Sequence, residues 1–269
     1  MKNEMNPIQK RLSRMMGDFH TFLEENKIPY FLWAGTLLGA IRHEGFIPWD
    51  DDLDIAMLRE DFERLLAISD KIPAPYKLRC IGLPGTHENY PYFYAKLEDT
   101  NTVLTENHIR HLGIKSGLYI DVFVMDTLPD HPVRRKIHTL NIRFWMAIRR
   151  FLLVDPSKPR SIVKQIPVTV VQKLFCLPKV IRKLNRVAKK YESSRGLTVT
   201  NWSGMYDKVP PVYEISKLEG GGLCQYGEYQ FRSVKDAHHI LTQIYGDYMQ
   251  LPPVERRVGN HDYTLEILE

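Results

Sequence analysis

The sequence predicts a mixed α/β (α+β) fold, in which a mixed sheet with flanking helices is interrupted by a basic helical insertion. Two strand-like runs, 52–57 and 118–125, alternate apolar residues with single aspartates. Between 7 and 27, apolar residues recur at the spacing of one helix face. Between 131 and 190 there are sixteen Lys or Arg and one acid, whereas the whole chain has a net charge of only +5. We therefore expect an acidic body and one basic, helical segment.

The elements can be placed in order from periodicity and from the Gly and Pro residues that interrupt it. We predict strands at 30–34, 52–57, 77–81, 92–97, 102–105, 118–125 and 225–231. We predict helices at 7–27, from 37, and at 60–69, 131–153, 161–191 and 235–245, the basic ones broken at Pro156, Pro159, Pro167 and Pro178. An irregular tail follows. The predicted units are a core segment 1–130, a basic helical insertion 131–195 and a C-terminal segment 196–269 that completes the core.

Composition excludes several classes of protein. A chain of 269 residues with 43% hydrophobic residues can bury a sizeable core, and 26% charged residues argues against global disorder. Three cysteines, far apart in the sequence, suit neither a disulfide scaffold nor a thiolate metal site. The polar first ten residues lack a signal-peptide core, and no run of about 18 apolar residues appears. We therefore expect a cytoplasmic protein without a membrane-spanning helix.

The most informative segment is WDDDLDIAM, from Trp49 to Met57. Its four carboxylates within five positions repel one another unless a cation lies among them. An exposed acidic turn is the alternative, but Asp54 stands within an apolar alternating run, where an unpaired carboxylate is costly. Side chains two positions apart share a strand face, so Asp52 and Asp54 can bind one ion together. Oxygen ligands without a nearby Cys or His favour Mg²⁺ or Mn²⁺.

A third carboxylate, Asp121, stands between bulky apolar residues in the run 118–125. A buried Asp that only caps a loop by hydrogen bonds is the structural alternative. Upstream, Gly35 and Thr36 lead into a helix whose N-terminus can bind a phosphate. A small-residue turn, two strand carboxylates and a third strand carboxylate are typical, in this order, of a nucleotidyltransferase-fold site. Three carboxylates around a divalent cation suit phosphoryl transfer.

These patterns give each acidic residue a predicted role. Asp52, Asp54 and Asp121 are predicted to be catalytic residues and direct metal ligands. Asp50 lies on the same face but nearer the loop, and it is ranked as a fourth metal ligand. Asp51 is expected to face away and to serve structure.

The sequence resembles the LicD family. The matching residues are AGTLLGAIRHEGFIPWDDDLD at 34–54, Asp61-Phe62, the block Tyr119–Phe123, and near the C-terminus Tyr245–Met249, Leu251–Pro253 and His261. The first block is long and specific, and the resemblance covers the chain from about 29 to 261 apart from its basic middle. The sequence is similar, more distantly, to fukutin-related proteins, but the cysteines that those proteins use for structural zinc have no counterpart here.

The resemblance implies a reaction and a donor. Characterised LicD proteins transfer phosphocholine from CDP-choline to cell-surface glycans, such as teichoic acid or lipopolysaccharide precursors, and release CMP. The acceptor hydroxyl would attack the phosphorus that bears the alcohol, and Asp121 is a candidate base for that hydroxyl. Asp50, Asp52, Asp54 and Asp121 carry over as metal-site residues. The same fold and metal site with CDP-ribitol, CDP-glycerol or a nucleoside triphosphate as donor stays open.

Further residues are candidates for substrate binding. Gly35 and Thr36 would approach a phosphate, Arg42 and His43 could touch the diphosphate, and Lys96 could reach a phosphate, although solvent-exposed positions are the alternative for the last three. A choline group requires aromatic faces around its quaternary ammonium. The candidates for those faces are Trp33, Trp49, Tyr92, Tyr94 and Trp202, although aromatic residues at such positions are more often part of a core.

The basic insertion carries two apolar stripes at helical spacing. They are Ile137, Leu140, Phe144, Ile148 and Phe151, and then Leu177, Ile181, Leu184 and Val187. We predict that these helices contact an anionic membrane, where a lipid-linked glycan acceptor would lie, so that the protein is peripheral on the inner face of the cell membrane. A packed subdomain with a solvated basic face is the alternative. Nucleic-acid binding is disfavoured because the helices are rich in Phe, Leu, Ile and Val.

Overall fold

The computed structural model describes residues 5–158, 161–194, 196–204, 210–259 and 262–268. The helices, in chain order, are α1 (Pro7–Glu25), α2 (Ala34–His43), α3 (Arg59–Ala67), α4 (Pro132–Leu152), α5 (Ile162–Leu174), α6 (Leu177–Ala188), α7 (Ile215–Leu218) and α8 (Ala237–Tyr245). The strands are β1 (Phe31–Leu32), β2 (Asp54–Leu58), β3 (Tyr76–Arg79), β4 (Ala95–Glu106), β5 (Ser116–Thr127), β6 (Thr198–Asn201), β7 (Tyr213–Glu214), β8 (Leu223–Tyr226), β9 (Tyr229–Arg232) and β10 (Tyr263–Ile267). The predicted mixed α/β class is confirmed.

One mixed sheet organises the molecule. Its main path runs β1-β2-β5-β4-β10, with β3 added on β4 and with β6 and β7 added on β5. The β2–β5 pair is parallel, and the other pairs of this sheet are antiparallel. β2 and β5 are the two strands that the sequence marks with aspartates, and they lie next to each other in the middle of the sheet.

The large core packs α1 and α2 against this sheet. α1 begins with a capping box, in which the Asn6 side chain accepts from the backbone N–H of Gln9 and the Gln9 side chain accepts from that of Asn6. Its apolar face, including Leu12, Met15 and Phe19, is buried. The helix directly positions residues 50–53, the acidic loop, because the Gln9 side chain donates to the backbone carbonyl of Asp50 at 2.8 Å.

Several predicted strand boundaries are wrong, each for an identifiable reason. β2 begins at Asp54, not at 52, so residues 50–53 form a loop. The runs at 92–97 and 102–105 are parts of one strand, β4, which begins at Ala95. Residues 225–231 form a hairpin, β8–β9, because the chain turns at Gly227 with a positive φ of 64°. The tail is not wholly irregular, since β10 pairs with β4 over 102–106.

The basic segment forms two contacting helices, α4 and α5, and a third, α6, that packs on α4. Pro167 lies inside α5 and does not end it, whereas Pro178 occupies the first turn of α6, where proline is tolerated. The second predicted stripe is buried in α6, and this small core also includes Ile142, Ile148 and Trp202. The first stripe divides: Ile148 is buried, but Ile137, Leu140 and Phe144 are exposed.

A buried ion pair joins this helical segment to the sheet. Arg59 at the start of α3 donates to Asp126 of β5 at 2.8 Å, and both side chains are at most 2% exposed. The same guanidinium donates to the Asn185 side chain of α6 at 3.1 Å. The unit boundaries at 130 and 195 stay predictions. Over the described residues, no helix is long and apolar enough to cross a membrane.

Candidate active site

The site is built where β2 and β5 run side by side. Asp54, the first residue of β2, lies directly opposite Asp121 in the parallel register. The backbone N–H of Asp121 donates to the carbonyl of Leu53 at 2.9 Å, which fixes the two chains at this point. The structure therefore brings together two carboxylates that are 67 positions apart in the sequence.

The N-terminus of α2 meets the same two strands. The backbone N–H of Asp54 donates to the buried Thr36 hydroxyl at 2.8 Å. A Cβ atom added to Gly35 would lie 3.1 Å from Oδ2 of Asp50, so glycine at this position leaves room for the carboxylate. Ala34, the first helical residue, has a positive φ of 44°, an unusual conformation for a residue with a side chain. The N-terminus of α2 therefore lies beside Asp50 of the acidic loop and is hydrogen-bonded to the start of β2.

The acidic loop brings three further carboxylates together. One oxygen from each of Asp50, Asp51 and Asp52 lies within 4.8 Å of the others, and among the residues that the structure describes this is the group with metal-ligand proximity. Because 50–53 is a loop and not a strand, the two-residue alternation does not apply there. Asp51 therefore joins the cluster instead of facing away as predicted, and it also hydrogen-bonds the Tyr263 hydroxyl of β10.

Burial and mutual repulsion raise the pKa values of the two strand carboxylates, Asp54 and Asp121. Burial raises the pKa of Asp54 well above its ordinary value, and the charges of Asp52, Asp121 and Asp50 raise it further. Burial also raises the pKa of Asp121 to about 6, against the opposing effect of Lys96. The other three predicted metal ligands are thus within electrostatic reach of Asp54. A cation would relieve this repulsion, and the donor set consists of oxygen atoms only.

Lys96 lies beside Asp121 on β4, because the two residues are register partners. Its ammonium is 3.3 Å from Asp121 and 3.4 Å from Glu106, and it lies over the rings of Tyr92 and Tyr119. Burial alone would lower its pKa, but Asp121, Tyr92 and Glu106 raise it above the ordinary value. With 3% of the side chain exposed, Lys96 holds Asp121 and does not extend into open space.

Arg42 and His43 lie at the opposite end of α2 from Gly35. The Arg42 guanidinium donates to the backbone carbonyl of Tyr248 at 2.7 Å. His43 packs edge-on against Trp49, and Arg257 lies over the same indole ring at 5.6 Å. Arg42 follows the first residue of α2 by eight positions, which corresponds to about 12 Å along the helix axis, so it is well separated from the N-terminus of α2. Contact of Arg42 with a diphosphate stays a prediction.

Most of the aromatic side chains proposed for a choline site are buried in a core or already contact a basic side chain of the protein. Trp33 and Trp202 are core residues, at 1% and 3% exposure. Lys96 and Arg149 already lie over the ring of Tyr92, and Arg257 lies over the ring of Trp49. Tyr94 is different, because its hydroxyl donates to Asp121 at 3.4 Å and its ring contacts Phe123.

Sequence reasoning missed Phe123, Glu106 and Tyr263. Phe123 is half-buried on the same strand face as Asp121, two positions further along β5. The alternation of Tyr119, Asp121 and Phe123 was visible in the sequence and could have identified it. Glu106 and Tyr263 could not be found in this way, because their places depend on the pairing of β4 with β5 and β10. His261, matched by resemblance, lies outside the described residues.

A mixed sheet with clustered aspartates beside the N-terminus of a helix is the arrangement expected of a nucleotidyltransferase domain. Residues 27–101 match the family described as LicD/FKTN/FKRP, nucleotidyltransferase domain. Residues 27–101 thus carry a LicD-family domain, and the resemblance drawn from the sequence is confirmed.

Three relatives extend the comparison. The chain is 29% identical to the lipopolysaccharide cholinephosphotransferase LicD of Haemophilus influenzae, over 93% of each chain. It is 54% identical to the uncharacterized protein RP689 of Rickettsia prowazekii, over 45% of this chain and 41% of that protein. It is 27% identical to mannosyltransferase regulator 4 of Saccharomyces cerevisiae, over 45% of this chain and 10% of that protein. Only the first of these alignments includes nearly the whole of both chains.

Proposed function

We propose that this protein is a phosphotransferase that moves phosphocholine from CDP-choline to a hydroxyl of a cell-surface glycan, with release of CMP. The observation that carries the proposal is the cluster of Asp50, Asp51, Asp52, Asp54 and Asp121 beside the N-terminus of α2. The similarity to a lipopolysaccharide cholinephosphotransferase over 93% of both chains supports the choice of donor and acceptor class.

The carboxylate cluster suits a divalent cation, Mg²⁺ or Mn²⁺. Burial and then repulsion by Asp52, Asp121 and Asp50 raise the pKa of Asp54, and oxygen donors match the preference of these ions. Asp50, Asp52, Asp54 and Asp121 would hold the ion. When bound, such an ion neutralises phosphate charge and polarises the phosphoryl group.

The protein's own groups would then position the reactants. The backbone N–H groups at the start of α2 would bind a phosphate oxygen, with Gly35 allowing close approach of the backbone and Thr36 holding the start of β2 through its hydroxyl. Asp121, with a pKa of about 6, is suited to accept the proton of the acceptor hydroxyl at neutral pH. Lys96 and the Tyr94 hydroxyl would orient that carboxylate.

Phe123 is our candidate for contact with the choline ammonium. It lies on the Asp121 face of β5, is half-buried, and has Tyr94 as a ring neighbour. A quaternary ammonium over an aromatic ring gains about 0.5–2 kcal/mol. Phe123→Leu should therefore raise the KM for CDP-choline between about twofold and thirtyfold and leave the KM for CDP-glycerol nearly unchanged. Phe123→Tyr, which keeps the ring, is the matched control; an equal effect of Phe123→Leu on both donors would exclude a choline contact.

Calorimetric titration with CDP-choline, CDP-ribitol, CDP-glycerol and CTP, each with and without Mg²⁺, tests the proposal directly. We expect Mg²⁺-dependent binding with a preference for CDP-choline. A preference for another of these nucleotides would keep the metal site and replace the donor. Binding that does not depend on Mg²⁺, or on Asp54, would contradict the metal-site assignment itself.

A further inference from the structure

Helix α4 exposes an apolar stripe along most of its length. The four residues follow one another at intervals of four, three and four positions, so they lie on one helix face. They are Val133, Ile137, Leu140 and Phe144, with 56–62% of each residue exposed. Helix α5, which contacts α4, exposes a second set: Ile166, Val170 and Leu174, at 48–71%. We call these seven residues the α4–α5 apolar face.

Basic side chains line this face. Lys136, Arg143 and Arg150 are all exposed and recur every seven residues, which places them along one edge of the α4 stripe. Lys173 stands beside Leu174 on α5 and is also exposed. Neither α4 nor α5 contains an acidic residue. The face therefore combines exposed apolar side chains with basic side chains, and no acidic side chain of α4 or α5 offsets their positive charge.

The helical segment does not need this face to complete its own core. The stripe of α6, namely Leu177, Ile181, Leu184 and Val187, is at most 7% exposed and packs with Ile142 and Ile148 of α4. The two stripes have similar sequence signals, but only the α6 stripe is used inside the protein. Large exposed apolar surfaces rimmed by charge are typical of interaction sites.

We propose that the α4–α5 apolar face docks on an anionic phospholipid membrane surface. Apolar side chains enter the boundary between headgroups and acyl chains, and Lys136, Arg143 and Arg150 pair with lipid phosphates at the edge. A nucleic-acid backbone would match the charge but would leave the central Phe144 and Leu140 uncompensated in water. The inference does not depend on the proposed reaction, since lipid binding is measured without a donor.

Docking through α4 also fixes the position of the site relative to the bilayer. Arg149 of α4 donates to the backbone carbonyl of Pro91 at 2.6 Å and lies over the Tyr92 ring. Tyr92 in turn contacts Lys96, which holds Asp121. A docked α4 thus connects to the carboxylate cluster through a short chain of buried contacts.

Vesicle sedimentation of the full chain tests the apolar part of the proposal. The probes are vesicles of phosphatidylcholine alone and of phosphatidylcholine mixed with phosphatidylglycerol. We expect binding to the mixed vesicles, and Leu140→Gln with Phe144→Gln should weaken it at least about tenfold. The control pair, Leu223→Gln with Ile267→Gln, removes apolar residues of similar exposure from β8 and β10 and should leave binding unchanged. Thermal unfolding followed by circular dichroism verifies that both variants fold.

A second pair of variants tests the charge. Arg143→Gln with Arg150→Gln should weaken binding to the mixed vesicles by about fivefold per residue, because each basic group near an anionic surface contributes about 1 kcal/mol. Arg182→Gln with Arg186→Gln removes the same charge from the exposed side of α6 and should have a smaller effect. We expect the larger effect at α4 because its apolar stripe is exposed and that of α6 is buried. This replaces the expectation from sequence that α6 is part of the membrane face.

Three results would overturn the proposal. One is unchanged vesicle binding in the Leu140→Gln, Phe144→Gln variant. Another is an equal loss in the β8 and β10 control. The third is gel filtration in which the wild type is a dimer, the α4 variant is a monomer, and neither binds vesicles; that result would assign the face to contact between two copies of this chain.

Discussion

At the scale of single residues, Asp54 lowers the stability of the folded protein and also has a predicted catalytic role. Its pKa is raised by burial and by three neighbouring carboxylates, so its negative charge destabilises the protein when no cation is bound. Asp54→Asn should therefore raise the melting temperature in EDTA. It should also lower turnover by about a thousandfold, because the metal contribution is lost. Both measurements use the same purified variant.

The control for this substitution is Asp70→Asn, which changes an exposed carboxylate outside the cluster. It should alter neither the melting temperature nor turnover. If Asp54→Asn kept full turnover, Asp54 would not be a metal ligand. If it lowered the melting temperature in EDTA, favourable contacts of the carboxylate would outweigh its burial and its repulsion by Asp50, Asp52 and Asp121.

Lys96 is better explained as a positioning residue than as a phosphate ligand. It is buried between Asp121 and Glu106, and its charge lowers the pKa of Asp121. Lys96→Met should therefore raise the pKa of Asp121 and shift the acid limb of the pH–rate profile upward. Removal of one partner from a buried ion pair also costs about 3–5 kcal/mol of stability. Turnover against pH and urea unfolding measure the two effects.

Lys96→Arg provides the matched control, because it keeps the charge and should keep the acid limb near its original position. A phosphate ligand would behave differently. In that case Lys96→Met would raise the KM for the donor and leave the acid limb where it was.

At the scale of elements, local pattern predicted the parts of the site that depend on one strand. The alternation around Asp54 and Asp121 identified β2 and β5. The Gly35-Thr36 pair indicated a helix there, although α2 begins at Ala34 and not at 37, so the pair lies in its first turn. The parts that depend on pairing could not be predicted in this way. The 50–53 loop, which brings Asp51 into the cluster, and the β10 strand, which supplies Tyr263, follow from contacts between distant segments.

Helices α4 and α6 also show that local sequence pattern does not predict contacts between distant segments. Both carry apolar stripes beside basic residues, so the sequence assigned them the same membrane role. Packing separates them: the α6 stripe is buried, whereas the α4 stripe is exposed over Val133–Phe144. Periodicity identifies which face of a helix is apolar, but not whether protein, lipid or water covers it.

The connection between α6 and the sheet depends on Arg59, which contacts Asp126 and Asn185. Arg59→Met should lower the free energy of unfolding by about 3–5 kcal/mol, because Asp126 is left buried and unpaired. The double variant Arg59→Met, Asp126→Leu should recover most of that loss, since no charge is then buried. Urea unfolding of the three proteins measures this. A double variant no more stable than the single one would show that the pair's contribution is not electrostatic.

At the scale of the whole molecule, the site is assembled from segments spread over most of the chain. α2, the acidic loop, β2, β4, β5 and β10 each supply a side chain or a helix end, so the cluster exists only in the folded protein. The repulsion between Asp54 and Asp121, together with the burial of both groups, is therefore a property of the native state. Stability should consequently respond both to pH and to divalent cations.

The sign of the pH effect follows from Asp121. Its pKa is about 6 in the folded protein and about 3.8 as the ordinary value, so between these values the folded state holds more protons than the unfolded state. Without a cation, the free energy of unfolding should fall as pH rises through this window, by at most about 3 kcal/mol. Asp54, shifted in the same direction, adds to the fall.

A divalent cation should reverse this trend, because it competes with protons for the same carboxylates. Mg²⁺ should raise the melting temperature at pH 7.5 and have little effect at pH 5, where Asp121 is largely protonated. Differential scanning fluorimetry in EDTA and in MgCl₂ at both values of pH measures the four conditions. Asp121→Asn should flatten the pH dependence and reduce the Mg²⁺ response together. Loss of one without the other would mean that the group that titrates is not the group that binds the ion.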